Sequence, residues 1–332
     1  MSLALYTLFV AAVPNADNAV RCGAGRFAAH SECCNWFDVL DDVQETLFEG
    51  RCDDEARESI RIQFHDAISY SKGLGSAGRY LHSLSVDGSI LSHADLELTY
   101  AENTGLDNIV WAQRALAVKH GVSFGDFITF AGAVGLSNCH DAPRLRFFAG
   151  RQNSTAPAPD GLVPAPWHSV DRILARMADA GFSPEETIAL LAAHSVATQH
   201  TIDPMADGAA LDSTPESFDN RFFTEVCPGC QVVERLMNPH DRQMLLDSSE
   251  RAPANDTVKG VVDSPFRDQL RLQSDYLMAR DERTAPTWQS LSRDTSQMSS
   301  RFVEAMAKLS MLGQDPSTLV DCSDVIPQRD RN

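Results

Sequence analysis

The stretch Asp54-Glu55-Ala56-Arg57-Glu58-Ser59-Ile60-Arg61-Ile62-Gln63-Phe64-His65-Asp66-Ala67-Ile68-Ser69 carries the reading of the fold. Its apolar residues return every three or four positions, the period of a helix, and Arg61 and His65, four apart, fall on one face. The same period recurs in Phe37 to Phe48, Leu106 to His120, Ser169 to Ala180, Pro184 to Gln199 and Arg301 to Leu312, whereas strand-like alternation is scarce. The chain is therefore expected to be mainly α. Ser183-Pro184-Glu185-Glu186 combines an N-cap serine, a proline at the first helical position and a glutamate three residues on, and Gly181 closes the helix before it. Long polar segments at Ser71 to Ser89, Gln152 to Pro166 and Met205 to Ser217 need something to fasten them. No internal repeat or low-complexity linker divides the chain.

The 332 residues, 43% hydrophobic and 22% charged, allow one large domain or two ordinary ones, with a core able to enclose a cofactor. With 28 Lys+Arg against 46 Asp+Glu the net charge is -18, which argues against nucleic acid or an anionic membrane as partner. Eight cysteines fit four disulfides in an oxidising compartment. Leu3 to Val13 is an apolar run of signal-peptide length, with Val10 and Ala12 at the positions that precede a cleavage site, although no basic residue precedes the run. Residues 1–21 are accordingly expected to be a leader on a secreted protein, and no later run is long enough to span a bilayer. Asn153-Ser154-Thr155 and Asn255-Asp256-Thr257 are glycosylation sequons.

Two histidine segments carry chemistry. A guanidinium and an imidazole directed into one cavity can move a proton and stabilise the negative charge that develops as an O–O bond breaks. A bare Arg-x-x-x-His also describes a surface pair. The second segment is Ala189-Leu190-Leu191-Ala192-Ala193-His194-Ser195-Val196, placed in the C-terminal half of an apolar helix. Taken by itself His194 reads as a core histidine before it reads as a ligand; its apolar surroundings suit a haem ligand if a carboxylate such as Asp275 supports its other nitrogen.

Several separated motifs stand in order: Cys33-Cys34-Asn35-Trp36-Phe37, Arg61 to Ile68, Val86-Asp87-Gly88-Ser89-Ile90, Asp126 to Cys139, Ala180 to Pro184, Ala193-His194-Ser195, Asp212-Ser213-Thr214-Pro215, Leu272-Gln273-Ser274-Asp275 and Asp321 to Pro327. Jointly they resemble the secreted fungal class II haem peroxidases, the group of lignin, manganese, versatile and generic peroxidases, from about Cys22 to Pro327. The resemblance implies the two-lobed plant and fungal peroxidase fold. Residues 22–332 would form one domain, a distal lobe of about 22–150 and a proximal lobe of about 151–330 enclosing haem b. It further implies a monomer that takes hydrogen peroxide and small aromatic donors. His65 would be the distal base, Arg61 would stabilise the departing charge, and Phe64 would pack over the haem. Asn103 would hold His65, Glu97 would anchor Asn103, His194 would bind iron and Asp275 would hold His194.

The same resemblance implies two Ca²⁺ ions. The distal one would sit on Asp66, the Ser85 backbone, Asp87 and Ser89; the proximal one on Ser195, Asp212, Thr214, the Ser217 backbone and Asp219. Clustered hard oxygens on long loops suit calcium, although polar turns in general look alike. It pairs Cys22 with Cys34, Cys33 with Cys322 and Cys52 with Cys139. Cys227-Pro228-Gly229-Cys230 remains, read as a local disulfide.

The donor distinguishes members of the group. Where lignin and versatile types carry a surface tryptophan this chain has Ala189, and Leu211 replaces a phenylalanine near the proximal face. A Mn²⁺ site would use Asp54, Glu58 and His200, a weaker set than three carboxylates, and a solvated acidic helix face is the competing reading. Tyr70, Tyr80, Tyr100, Trp111 and Trp167 are candidate surface radical sites or simply packing residues. The reading preferred is a generic peroxidase oxidising phenols, lignin-related aromatics or dyes at the haem edge. A manganese oxidase and a catalytically silent haem-binding protein are the alternatives.

Overall fold

A computed structural model describes residues 19–76, 85–227, 258–266 and 268–328. Nine principal helices order the described residues: α1 Asn35–Val43, α2 Asp54–Ala67, α3 Asp107–His120, α4 Phe124–Ser137, α5 Val170–Ala180, α6 Pro184–Leu190, α7 Gln273–Met278, α8 Ala285–Leu291 and α9 Thr295–Leu309. Strand is confined, among the described residues, to two-residue antiparallel ribbons. The last two residues of the expected leader, Val20 and Arg21, pair with Ala28 and Phe27, and the apolar run Leu3 to Val13 lies outside the described residues.

Local chemistry sets the helix ends. Ser183 Oγ accepts from Glu186 N at 3.2 Å while Glu186 Oε2 accepts from Ser183 N at 2.8 Å, the reciprocal capping box that starts α6. Asp294 caps α9 by accepting from Gln297 N at 2.9 Å, so this helix begins six residues earlier than the apolar period alone indicates. The helix expected over Pro184 to Gln199 is shorter. It ends at Leu190, and Leu191–Val196 tighten into a 3₁₀ turn that carries His194. Thr198 and Gln199 then leave as a ribbon paired with Ala210 and Ala209, a conformation that suits the β-branched Thr198.

Helix α4 has no amphipathic period because Gly125 to Ser137 are all buried. It lies against α2 closely enough that glycine is required at two positions. A Cβ on Gly132 would collide with Gln63 Oε1; one on Gly135 would stand 2.8 Å from the Ala56 carbonyl oxygen and 3.2 Å from its Cα. Cys52–Cys139 joins the start of α2 to the end of α4. Below them Trp36, Phe130 and Phe147 interlock at centroid distances of 4.6–5.1 Å.

The second group of helices, α5, α6, α8 and α9, packs around Phe218, Trp288 and Phe302. One apolar cluster runs through both groups, from Trp36 to Leu309. Cys33–Cys322, the pairing of Phe148–Ala149 with Val320–Asp321, and the Arg151 guanidinium reaching Ser310 O at 2.6 Å tie the C-terminal segment back to the first group. Cys22–Cys34 closes a short loop at the N-terminal side. Cys227 is disulfide-bonded, and its expected partner Cys230 lies outside the described residues. No helix among the described residues is long and apolar enough to cross a membrane.

Gly135→Ala tests the helix contact. Helix propensity alone favours alanine by about 1 kcal/mol, but the new methyl meets backbone that cannot rotate away, which costs about 1–3 kcal/mol. A lower urea midpoint is expected; a higher one would show that α2 and α4 are not in such close contact.

Candidate active site

Arg61 and His65 project from one face of α2, and Arg61 Nε donates to His65 Nε2 at 3.3 Å. The guanidinium is steadied by the carbonyl oxygens of Glu102 and Thr104, 3.0 and 3.2 Å from Nη2. His65 Nδ1 lies 2.8 Å from Asn103 Oδ1. The Asn103 amide nitrogen donates to the main-chain carbonyl of Glu97 at 2.9 Å, which turns its oxygen toward the imidazole. Nδ1 must therefore carry the proton, and Nε2 presents a lone pair. Burial first, then the Arg61 charge, push the His65 imidazole down to about 3, so it is neutral above that pH. Glu97 holds Asn103 through its backbone rather than its carboxyl. That carboxyl accepts from Ala158 N at 2.8 Å, and burial pushes it up to about 7.

His65, Asn103, Tyr100, Ala158, Asp160 and Val163 line a cavity of about 20 Å³. It has room for a molecule of water size. Pockets that enclose organic ligands begin at about 300 Å³. Phe64 is half-buried beside His65, its ring 6.2 Å away and nearly perpendicular.

His194 Nδ1 lies 2.9 Å from Asp275 Oδ2, and Asp275 is buried. A carboxylate only accepts, so Nδ1 carries the proton and Nε2 is left as a lone pair, with no hydrogen bond among the described residues. An imidazole backed in this way by a carboxylate is suited to hold a metal, and the pair fits a haem iron ligand. Phe222 stands edge-on to His194, centroids 5.3 Å apart, and packs on Trp288, whose Nε1 donates to Phe223 O at 2.8 Å. This aromatic backing was not picked out from the sequence, although adjacent Phe222 and Phe223 mark a buried turn.

The expected manganese set comes together differently. His200 Nε2 lies 3.3 Å from Asp54 Oδ1, and Nδ1 lies 2.8 Å from Asp207 Oδ1. Burial opposes protonation of this ring, but Asp207 and Asp54 together outweigh it and raise its affinity for a proton above the ordinary value. Asp54 Oδ1 also accepts from Arg57 Nη1 at 3.2 Å and Thr198 Oγ1 at 3.1 Å. Glu58 stands near Arg61, and burial pushes its carboxyl up to about 7. His200 thus stands between two acids that favour its protonated form. The sequence pattern omitted Asp207 and Thr198, which approach through the Thr198–Gln199 ribbon.

The oxygens expected to bind calcium form two groups. In one, Asp66 Oδ2 accepts from Gly88 N at 3.0 Å and Asp87 from Ser89 N at 3.2 Å and Ser85 Oγ at 3.0 Å. Asp66 Oδ1 and Ser89 Oγ are buried with no hydrogen-bond partner. In the other, Asp212 Oδ1 accepts from Thr214 N at 2.8 Å, Thr214 Oγ1 donates to Asp219 Oδ2 at 3.0 Å, and Ser217 N donates to Thr214 O. Asp212 Oδ2 and Ser195 Oγ are buried and unpartnered. Burial raises the Asp66 carboxyl well above the carboxylate range, Asp87 to about 6 and Asp212 to about 7.

Among the candidate radical residues, Trp111 is exposed, Tyr70, Tyr100 and Trp167 are half-buried, and Tyr80 lies outside the described residues. Ala189 and Leu211 are buried. Asn153 is exposed; the second sequon lies outside the described residues.

The family described as Peroxidase matches residues 39–294, and the Fungal peroxidase extension region matches 297–332. The chain is 43% identical over 330 residues to Ligninase H2 of Phanerodontia chrysosporium, covering 98% of this chain and 83% of that one. It is 42% identical over 337 residues to a Peroxidase of Coprinopsis cinerea, covering 98% and 87%. To Versatile peroxidase VPS1 of Pleurotus eryngii it is 43% identical over 312 residues, covering 94% and 79%.

Asn103→Ala would leave the buried His65 Nδ1–H without its acceptor. A loss of about 1–3 kcal/mol in urea unfolding is expected; unchanged stability would mean that another group satisfies that proton.

Proposed function

The chain belongs to the peroxidase family, in its fungal branch, and from that membership we propose how its residues divide the work. It is a haem peroxidase, an oxidoreductase that uses hydrogen peroxide to oxidise aromatic donors. When bound, the haem iron supplies the two-electron reduction of peroxide and withdraws electrons from donors one at a time. His194 would hold the iron through Nε2, and Asp275 fixes that ring. His65 Nε2 takes a proton from one oxygen of hydrogen peroxide and returns it to the other, so that water departs and not hydroxide. Arg61 stabilises the charge on the leaving oxygen. Asn103 keeps the catalytic tautomer, and Glu97 keeps Asn103.

The observation that carries this assignment is the tautomer of His65, fixed by Asn103 so that Nε2 is an acceptor beside the Arg61 guanidinium. The 20 Å³ cavity that His65 also lines is too small for an aromatic ring. Donors therefore give their electrons at the haem edge, between a distal lobe of about 22–150 and a proximal lobe of about 151–330. Mn²⁺ is not the preferred donor, because His200 is engaged by Asp54 and Asp207.

Calcium is the fastener of the long loops. Four buried oxygens without partners, two beside each histidine segment, support a cation in each group. Asp66, the Ser85 carbonyl, Asp87 and Ser89 hold the distal ion; Ser195, Asp212, Thr214, the Ser217 carbonyl and Asp219 hold the proximal one. The paired cysteines support secretion into an oxidising medium.

His65→Ala should lower the rate of peroxide-dependent phenol oxidation by about 10²–10⁴-fold. In the wild type the rate of reaction with peroxide should stay flat down to about pH 4 and fall toward pH 3, where His65 gains a proton. A midpoint near the ordinary histidine value of about 6.5 would overturn the proposed environment.

Calcium removal has a signed consequence. The Asp87 and Asp212 carboxyls, raised in the fold, contribute stability that is full below about pH 4 and is lost as pH rises through about 6 and 7. Chelator-treated protein should therefore lose stability between pH 4 and 7, on the order of 3 kcal/mol for each carboxyl, and added Ca²⁺ should abolish the slope. A chelator without effect on thermal unfolding at pH 7 would remove calcium from the account.

A further inference from the structure

Aromatic donors do not fit the small cavity beside His65, and one tryptophan lies on the chain between the wall of that cavity and the segment that holds His194. The chain leaves the cavity wall at Val163 and passes through Pro166, Trp167 and His168. The Pro166 carbonyl accepts from Ser274 N at 3.0 Å, one residue before the Asp275 that holds His194. Gly260 O accepts from Gln273 N at 2.8 Å, which brings Lys259 to the same end of α7. Trp167 is half-buried, and the Lys259 ammonium lies 4.2 Å from the centre of its ring. The main chain at Trp167 thus runs between the cavity wall and the start of α7, and the Lys259 ammonium lies on the face of its indole.

The charge is unusual for this molecule. The chain has only four lysines and a net charge of -18. Lys119 and Lys308 are each paired with a carboxylate at 2.6 Å. Lys259 has no carboxylate partner among the described residues. Burial first, then the charges of Arg172 and Lys259, lower the proton affinity of His168 beside Trp167, while Glu102 opposes them.

We propose that Trp167 and Lys259 form a docking edge that selects anionic aromatic donors, phenols carrying a carboxylate, by stacking the ring on the indole and pairing the carboxylate with the ammonium. This rests on the haem-edge reading above. Two phenolic donors each give one electron and their phenolic proton, leaving two phenoxyl radicals. One hydrogen peroxide is reduced to two waters, so atoms and electrons balance.

The test compares 4-hydroxycinnamate with its neutral methyl ester on the holoenzyme. Lys259→Gln should raise KM for the acid about three- to tenfold, leave the ester within twofold, and leave kcat for both unchanged; Lys259→Arg should restore the acid. Added salt should weaken only the acid with the wild type. Equilibrium dialysis of both compounds, which needs no turnover, should show the same difference. An equal change for acid and ester, or no change for either, would overturn the docking edge, and ester turnover in each variant certifies folding. If dialysis shows the charge-dependent binding while wild-type turnover of both compounds is absent, the haem-edge reading fails and the docking edge stands.

Discussion

The distal half of the site depends on how closely α2 can lie on α4. Arg61 and His65 have meaning only because their helix is pinned along its other face, where Gly132 and Gly135 let the two backbones approach and the Cys52–Cys139 bridge brackets the contact. Gln113 Nε2 donating to Ser59 Oγ at 2.9 Å adds a buried polar tie from α3 to the same helix. Interiors at close-packed density transmit small displacements instead of absorbing them. A shift of α2 would therefore reach His65 Nε2 and the Asp66 carboxylate together, since they are neighbours on one turn.

The two histidines share a construction and differ in one atom type. Each gives its Nδ1 proton to a buried oxygen and keeps Nε2 as an acceptor, which at His65 receives the Arg61 Nε–H. His65 gives it to a neutral amide, next to the positive Arg61, and that setting holds the ring neutral and ready to accept a proton. His194 gives it to the carboxylate of Asp275, which makes the ring a stronger electron donor through Nε2. The proposed roles, one imidazole to exchange a proton and the other to hold a metal, rest on partners that lie 38 and 81 residues away in sequence.

Helical spacing made Arg61 and His65 legible together, because a helix converts four residues into one face. It made α4 illegible, because a helix buried on every side has no period to detect. His194 was legible as a residue, but its 3₁₀ setting was not, since apolar content says little about where a helix tightens. The manganese set shows another limit: Asp54, Glu58 and His200 do converge, but Asp207 and Thr198 arrive from the neighbouring ribbon and change the chemistry. Lys259 and Trp167, 92 positions apart, carry no shared pattern at all. Their meeting depends on two main-chain hydrogen bonds at the start of α7.

A strongly acidic chain with buried carboxylates presents an energetic difficulty that the loops alone do not resolve. A buried acceptor without a donor costs about 1–3 kcal/mol, and an unpaired buried charge costs more. Asp66 and Asp212 answer by favouring protonation, which removes the charge but leaves Ser89 and Ser195 without partners. A divalent cation resolves both at once, by accepting electron pairs from carboxylate, hydroxyl and carbonyl oxygens alike. Because Asp66 follows His65 and Ser195 follows His194, the same ion that neutralises a loop also fixes the backbone of an active-site ring. On this reading stability and catalysis cannot be separated: whatever loosens the cation clusters displaces the two imidazoles first.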